Sequence, residues 1–329
     1  MPSGLTRRPL IGLALGTGSP RGWAHIGVLR TLTEAGLKPD IVTGASVGAI
    51  VGAAYASGDL DRFEQWVRGL SARAVWSFMD FGLGGGMLKG EKLVAFFRRH
   101  FADPAIESLP LRFGAVATAL RTGDEVWLRE GSVADAVRAS FALPGLFTPV
   151  WQDDRLLVDG GLVNPVPVSL ARALGADVVI AVDLNHDKLG RYFRSNSNAP
   201  EPPAPRSAWV QSLQQGLGAL WPHGGAPAED AAKDIEEPAL PLPSLLSVLS
   251  DSIQVMQVRI TRSRMAGDPA EAVIAPRLSH LGLLDFHRAD EAIAGGRAAT
   301  EEVLAQLAEL GLITPPASSV SLPPQPPSA

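Results

Sequence analysis

At 329 residues the chain is long enough for one large α/β domain or two small ones. Its 46% hydrophobic content provides for a sizeable core, and a net charge of −5 gives no basic excess pointing to nucleic acid. The absence of cysteine excludes a disulfide framework and a thiolate metal site, and fits a reducing compartment.

In chain order, residues 1–8 form an N-terminal extension, and the apolar run over 10–15 predicts a buried strand. That run is too short for a secretory signal. The loop Gly16-Thr17-Gly18-Ser19-Pro20-Arg21-Gly22 follows, and the spacing of Ile26, Leu29 and Leu32 predicts a helix over 23–35 that stops at Gly36. A short strand through 39–43 then leads into Gly44-Ala45-Ser46-Val47-Gly48 and a helix over 49–57. Strand, sharp turn and helix are the setting of a nucleophile elbow, in which Gly44 and Gly48 leave room around Ser46. Residues 41–58 carry no charge and reach the length of a short membrane span. Their Gly, Ala and Ser content favours a buried strand–turn–helix instead.

Helices are predicted over 59–70 and 91–101, on either side of an aromatic stretch at 75–88. Strands over 112–120 and 125–129 meet at the turn Thr122-Gly123-Asp124. Ser132 caps a helix reaching Ser140. A strand over 155–158 ends in Asp159-Gly160-Gly161, and Asn164-Pro165 opens a helix that runs to Leu174. A strand spans 177–183. Residues 190–240 form a Pro-rich variable insertion, in which Trp209, Leu213, Leu217 and Trp221 mark a short amphipathic helix. Helical patterns over 244–265 and 288–310 flank a strand at 272–275, and the tail 313–329 is expected to be disordered. The folded domain is thus expected over 9–312.

The chemistry concentrates in a glycine-rich loop able to gather backbone N–H groups around an anion, a serine at an elbow, and an aspartate at a strand end. These residues resemble the patatin-like phospholipases, which carry a glycine-rich oxyanion loop with a basic residue, a G-x-S-x-G and an Asp-Gly-Gly. The similarity extends through Gly22-Trp23-Ala24-His25-Ile26-Gly27, Ala139-Ser140-Phe141-Ala142-Leu143-Pro144-Gly145, Asp159-Gly160-Gly161-Leu162-Val163-Asn164-Pro165 and residues 257–269. It is nearest to the compact bacterial RssA-type branch and covers residues 9–310 apart from the Pro-rich stretch.

The resemblance implies a three-layer α/β/α fold with a mostly parallel central sheet. It makes Ser46 the nucleophile and Asp159 its general base, a dyad without histidine. Thr17, Gly18, Ser19 and Arg21 would form or steady the oxyanion hole, with Gly16, Gly22, Gly44, Gly48, Gly160 and Gly161 supporting the motifs. The implied substrate is a phospholipid, a lysophospholipid or another fatty-acyl ester. No cofactor, metal or nucleic acid is implied. The expected location is the cytoplasm, with any membrane contact peripheral at the inner face.

One departure concerns the loop, where the family has glycine or alanine and this chain has Ser19 and Pro20. Proline has no N–H to offer an oxyanion, so the donors are expected at Gly18 and Ser19. Three other readings compete. The loop could be a dinucleotide fingerprint, although the next strand lacks the terminal acid that motif needs. A histidine triad could draw on His186, His223, His280 or, best placed, His287. The fold could also serve a catalytically silent lipid-binding or regulatory protein.

Overall fold

The computed structural model describes residues 7–77, 86–88, 90, 94, 95, 98, 103–187 and 245–314. The expected Trp209–Trp221 helix, most of the aromatic stretch and of the helix at 91–101, His223, and the tail beyond 314 lie outside these residues.

Aliphatic runs form the centre of an eight-stranded sheet. β1 (Ile11–Leu15), β2 (Ile41–Ala45), β4 (Arg112–Ala119), β9 (Val178–Val182) and β10 (Ala272–Ile274) run parallel, in the order β10-β9-β1-β2-β4. β3 (Gly86–Leu88) pairs separately with β6 (Gly145–Phe147). β5 (Glu125–Leu128) and the hairpin of β7 (Val150–Gln152) and β8 (Arg155–Asp159) add antiparallel pairings to β4.

Strand side chains alternate between two faces. Leu13, Leu15, Val42, Phe113, Ala115, Ile180 and Val182 point into the larger core, together with α1 (Ala24–Glu34), α2 (Val47–Ala56), α5 (Val133–Ser140) and α8 (Ala289–Glu301). Ala14, Ile41, Val179 and Ala181 face the other way and pack on α6 (Val168–Ala173) and on Met265 of α7 (Leu245–Gly267). The result is the three-layer, mostly parallel arrangement expected. Shorter helices α3 (Leu60–Arg68), α4 (Ala72–Ser77) and α9 (Leu304–Glu309) complete the described α-helices.

Local signals set several boundaries. Gly36 takes φ +85°, and the Leu37 N–H turns back to the Leu32 carbonyl, closing α1. Ser132 Oγ accepts the Asp135 N–H at 3.0 Å and caps α5.

The helix expected from Asn164 starts only at Val168. Pro167 is its N-cap, the Asn164 side chain donates to Glu125 and Ser169, and the Pro165 carbonyl is taken by the Thr17 N–H. The pattern over 288–310 divides into α8 and α9, with Val303 as the second helix's N-cap.

Candidate active site

Ser46 stands between the end of β2 and the start of α2 with φ 57° and ψ −125°, a strained backbone for a side-chain-bearing residue. Its neighbours make that turn feasible. A Cβ on Gly44 would stand 2.5 Å from the Ala49 backbone, and one on Gly48 would stand 2.2 Å from the Leu15 carbonyl oxygen. Only glycine lets α2 begin this close to the sheet. The Ser46 N–H donates to Ser140 Oγ at 3.0 Å, which holds the elbow from the side of α5.

Strand register brings Asp159 to the same point. On one edge of β4, β5 pairs with residues 115–118. A strand residue has one partner on each side, so both β2 and β8 lie along the opposite edge. β2 ends with Ala45 opposite Val116, and β8, running the other way, ends with Asp159 opposite Ala117. The two strands therefore meet end to end, β8 terminating at Asp159 and β2 one residue before Ser46. Gly160 turns the chain tightly there, since a Cβ on it would stand 2.1 Å from the Val116 carbonyl oxygen.

Asp159 is fully buried. Its Oδ2 accepts the Ser46 Oγ–H at 2.6 Å and its Oδ1 accepts the Gly161 N–H at 2.7 Å. Burial pushes its pKa up to about 6, and the two hydrogen bonds limit the rise. A carboxylate with that pKa is ionised at neutral pH yet closer to the basicity required of a general base.

The loop approaches from β1. The N–H groups of Gly16 and Thr17 are already committed, to Val182 O at 3.0 Å and Pro165 O at 2.9 Å. Those of Gly18 and Ser19 have no acceptor among the described residues. Ser19 takes φ 51°, and Pro20 sits inside the 3₁₀ turn Ser19–Trp23. Gly22 packs against Val47, whose Cγ1 lies 2.2 Å from where a Cβ would be.

Arg21 is buried, with Nε on Gly18 O, Nη1 on Leu184 O and Nη2 on Asn185 Oδ1. Burial lowers its pKa to about 10, with Asp187 and Asp183 opposing the fall, so the guanidinium remains charged and holds the loop. His25 is buried and neutral because burial lowers its pKa to about 4. Since Gly16 O can only accept, the His25 Nε2–H donates to it at 2.8 Å.

Ser140, Asn185, Gln254 and Gln257 touch this machinery and were not singled out by sequence reasoning. Polar residues beside apolar ones, as in Val182-Asp183-Leu184-Asn185, were the available signal.

Thr17, Gly18, Ser19 and Ser46 share a cleft with Leu143 and Ile253. It adjoins a wider groove lined by Pro144, Leu146, Leu249 and Leu283. A separate apolar pocket behind α2, lined by Ile50, Phe63, Val137 and Phe141, touches neither Ser46 nor Asp159.

No histidine bonds to the pair among the described residues. His280 is held by Glu291, His186 stands near Asp183, and His287 is exposed. β2 ends without an acidic side chain, which leaves the dinucleotide reading without its ribose contact. Among the described residues no three His, Asp or Glu side chains cluster as metal ligands would. Nor is any helix among them long and apolar enough to cross a membrane.

Sheet, elbow and glycine-rich loop together define an α/β/α protein that brings a strained serine, a buried aspartate and a glycine-rich loop to one cleft. The patatin-like phospholipase family model matches residues 13–172. An uncharacterized NTE family protein of Mycobacterium tuberculosis is 34% identical over 90% of this chain and 91% of its own length. A second from the same organism is 32% identical over 89% of this chain and 46% of its own length. The mouse patatin-like phospholipase domain-containing protein 6 is 36% identical over 53% of this chain, which corresponds to 13% of that protein. The chain belongs to the patatin-like phospholipase family, and this membership supports a lipid hydrolase function. The two mycobacterial relatives are named for the NTE family, and the likeness to the RssA-type branch stays an expectation.

Proposed function

We propose that the protein is a serine acyl hydrolase acting on phospholipid, lysophospholipid or related fatty-acyl esters through Ser46 and Asp159. The observation that carries this reading is the 2.6 Å hydrogen bond from Ser46 Oγ to a fully buried Asp159 carboxylate. Ser46 Oγ attacks the ester carbonyl while its proton passes to Asp159 Oδ2. The negative oxygen of the tetrahedral intermediate is received by the N–H groups of Gly18 and Ser19. Collapse of the intermediate breaks the ester bond, and the departing alcohol takes the proton from Asp159. Water, deprotonated by Asp159, then attacks the acyl-enzyme and releases the fatty acid, and the proton returns to Ser46.

The groove beside Leu146, Leu249 and Leu283 offers an apolar path for the acyl chain. The exposed Val248, Leu249, Val255 and Met256 on α7 support contact with a lipid surface near that groove. The test is hydrolysis of a p-nitrophenyl acyl ester and of phospholipid vesicles. Ser46→Ala and Asp159→Asn should each lower kcat by at least about a thousandfold. In the wild type kcat/KM should rise with pH through a midpoint near 6, as Asp159 ionises. Full turnover by Asp159→Asn would rule out the dyad, and a wild type inert toward every ester would favour a silent lipid-binding role.

A further inference from the structure

The trans peptide bond sets C=O and N–H on opposite sides of one plane, so whatever grips a carbonyl also aims the next residue's N–H. Two consecutive carbonyls of the loop are gripped. Asn185 Nδ2 donates to Thr17 O at 3.2 Å, and Arg21 Nε donates to Gly18 O at 3.1 Å. The amides aimed by those two peptides belong to Gly18 and Ser19, the pair with no acceptor among the described residues, and both residues line the cleft that contains Ser46.

Asn185 is buried, and its orientation is fixed by chemistry. Its Oδ1 must face Arg21 Nη2 at 2.9 Å, because a guanidinium only donates. Its Nδ2 must therefore face Thr17, where it also reaches Oγ1 at 3.1 Å. On the other side of Thr17, the hydroxyl donates to Gln257 Oε1 at 3.2 Å. The Asn185 N–H is itself held by Asp183 Oδ1 at 2.9 Å, so the side chain projects from a fixed backbone.

We infer that Asn185 is a positioning residue for the hydrolytic reaction: by bridging Arg21 and the Thr17 carbonyl, it turns the Gly18 N–H toward the oxygen that becomes negative beside Ser46. Asn185 touches no reacting atom. Its effect falls on the transition state, where the oxyanion exists, and not on the binding of an uncharged ester. The inference rests on the Ser46–Asp159 reading, and the test keeps the two apart.

Asn185→Asp preserves shape and the contact with Arg21, but it sets an acceptor against the Thr17 carbonyl. Asn185→Ala removes both contacts without adding a charge. For each variant, kcat and KM are measured on a p-nitrophenyl acyl ester, alongside Ki for a trifluoromethyl ketone, whose adduct with serine carries the same oxyanion. Expected is a fall in kcat of about 10- to 100-fold, with KM unchanged within about twofold and a matching loss of ketone affinity. That is less than the roughly hundred- to thousandfold cost of removing a donor, because the Gly18 N–H is misaimed and not lost.

Wild-type kcat in both Asn185 variants, with Ser46→Ala inactive, would overturn the positioning role and leave the dyad standing. Lower kcat with unchanged ketone affinity would also overturn it, because the oxyanion donors would then be undisturbed and the loss would arise elsewhere. Turnover by Ser46→Ala would instead remove the underlying reading, and the positioning role with it.

Discussion

Asp159 is held under opposite demands. Catalysis benefits from its burial because burial raises its basicity, whereas stability suffers because an ionised carboxylate has left water. Its pKa in the fold, about 6, stands above the ordinary carboxylate value of 3.8, so the folded protein binds the proton more tightly than the unfolded chain. Stability from this group is therefore greatest at low pH and is lost as pH rises through about 6. The loss is on the order of 3 kcal/mol. Asp159→Asn has no such titration. In denaturant unfolding at pH 4 and pH 7, the stability of the wild type relative to Asp159→Asn should fall by roughly that amount; a pH-independent difference would contradict the burial argument. His25 works in the opposite sense, since its lowered pKa of about 4 favours the fold as pH rises toward its ordinary 6.5. The two slopes oppose each other over the same range, which is why the comparison with the variant is more informative than the wild-type curve alone.

At the scale of elements, some pieces declare themselves locally and others do not. The elbow was legible because a serine at positive φ requires space on both sides, and Gly44 and Gly48 record that requirement within five residues. The β7–β8 hairpin was legible only in its second strand, expected over 155–158, while β7 and the turn went unread. Its two-residue turn is Asp153-Asp154, both at positive φ, where the usual signal would be Asn-Gly, and strands of three and five residues leave little periodicity to read.

Helix α8 shows a further limit. Its helical pattern was readable, but not the closeness of its packing on α1. A Cβ on Gly296 would stand 2.0 Å from Ala24 O, and one on Gly27 would stand 2.0 Å from Ile293 O. Gly→Ala in an exposed helix ordinarily stabilises by about 1 kcal/mol. Here the sign should reverse. Gly296→Ala should cost about 1–3 kcal/mol by forcing the two helices apart, seen as a fall of several degrees in Tm. A higher Tm would show that the helices tolerate the methyl group.

Across the whole molecule, motif content and sheet architecture could be read in order along the chain, because each motif sits at a strand end and the strands alternate with helices. The contacts that complete the site could not. Asn185 reaches Arg21 across 164 residues and Thr17 across 168, and no local pattern encodes such a pairing. Ser46 and Asp159 lie 113 residues apart, and their pairing was legible only through the family resemblance, not through any local pattern.

Their meeting depends on two strands arriving from opposite ends along one edge of β4, and that arrangement carries a consequence in time. Antiparallel β8 reaches β4 over a shorter stretch of chain than parallel β2 does, so β4 and the β7–β8 hairpin can join before β2 docks beside them. Docking of β2 in the right register is then what first delivers the serine to the carboxylate, and long-range parallel pairing is intrinsically slow. After dilution from denaturant, far-UV circular dichroism should recover ahead of esterase activity. Activity should return as a separate, slower phase. Simultaneous recovery of both signals would mean that the seam between β2 and β8 closes together with the rest of the sheet.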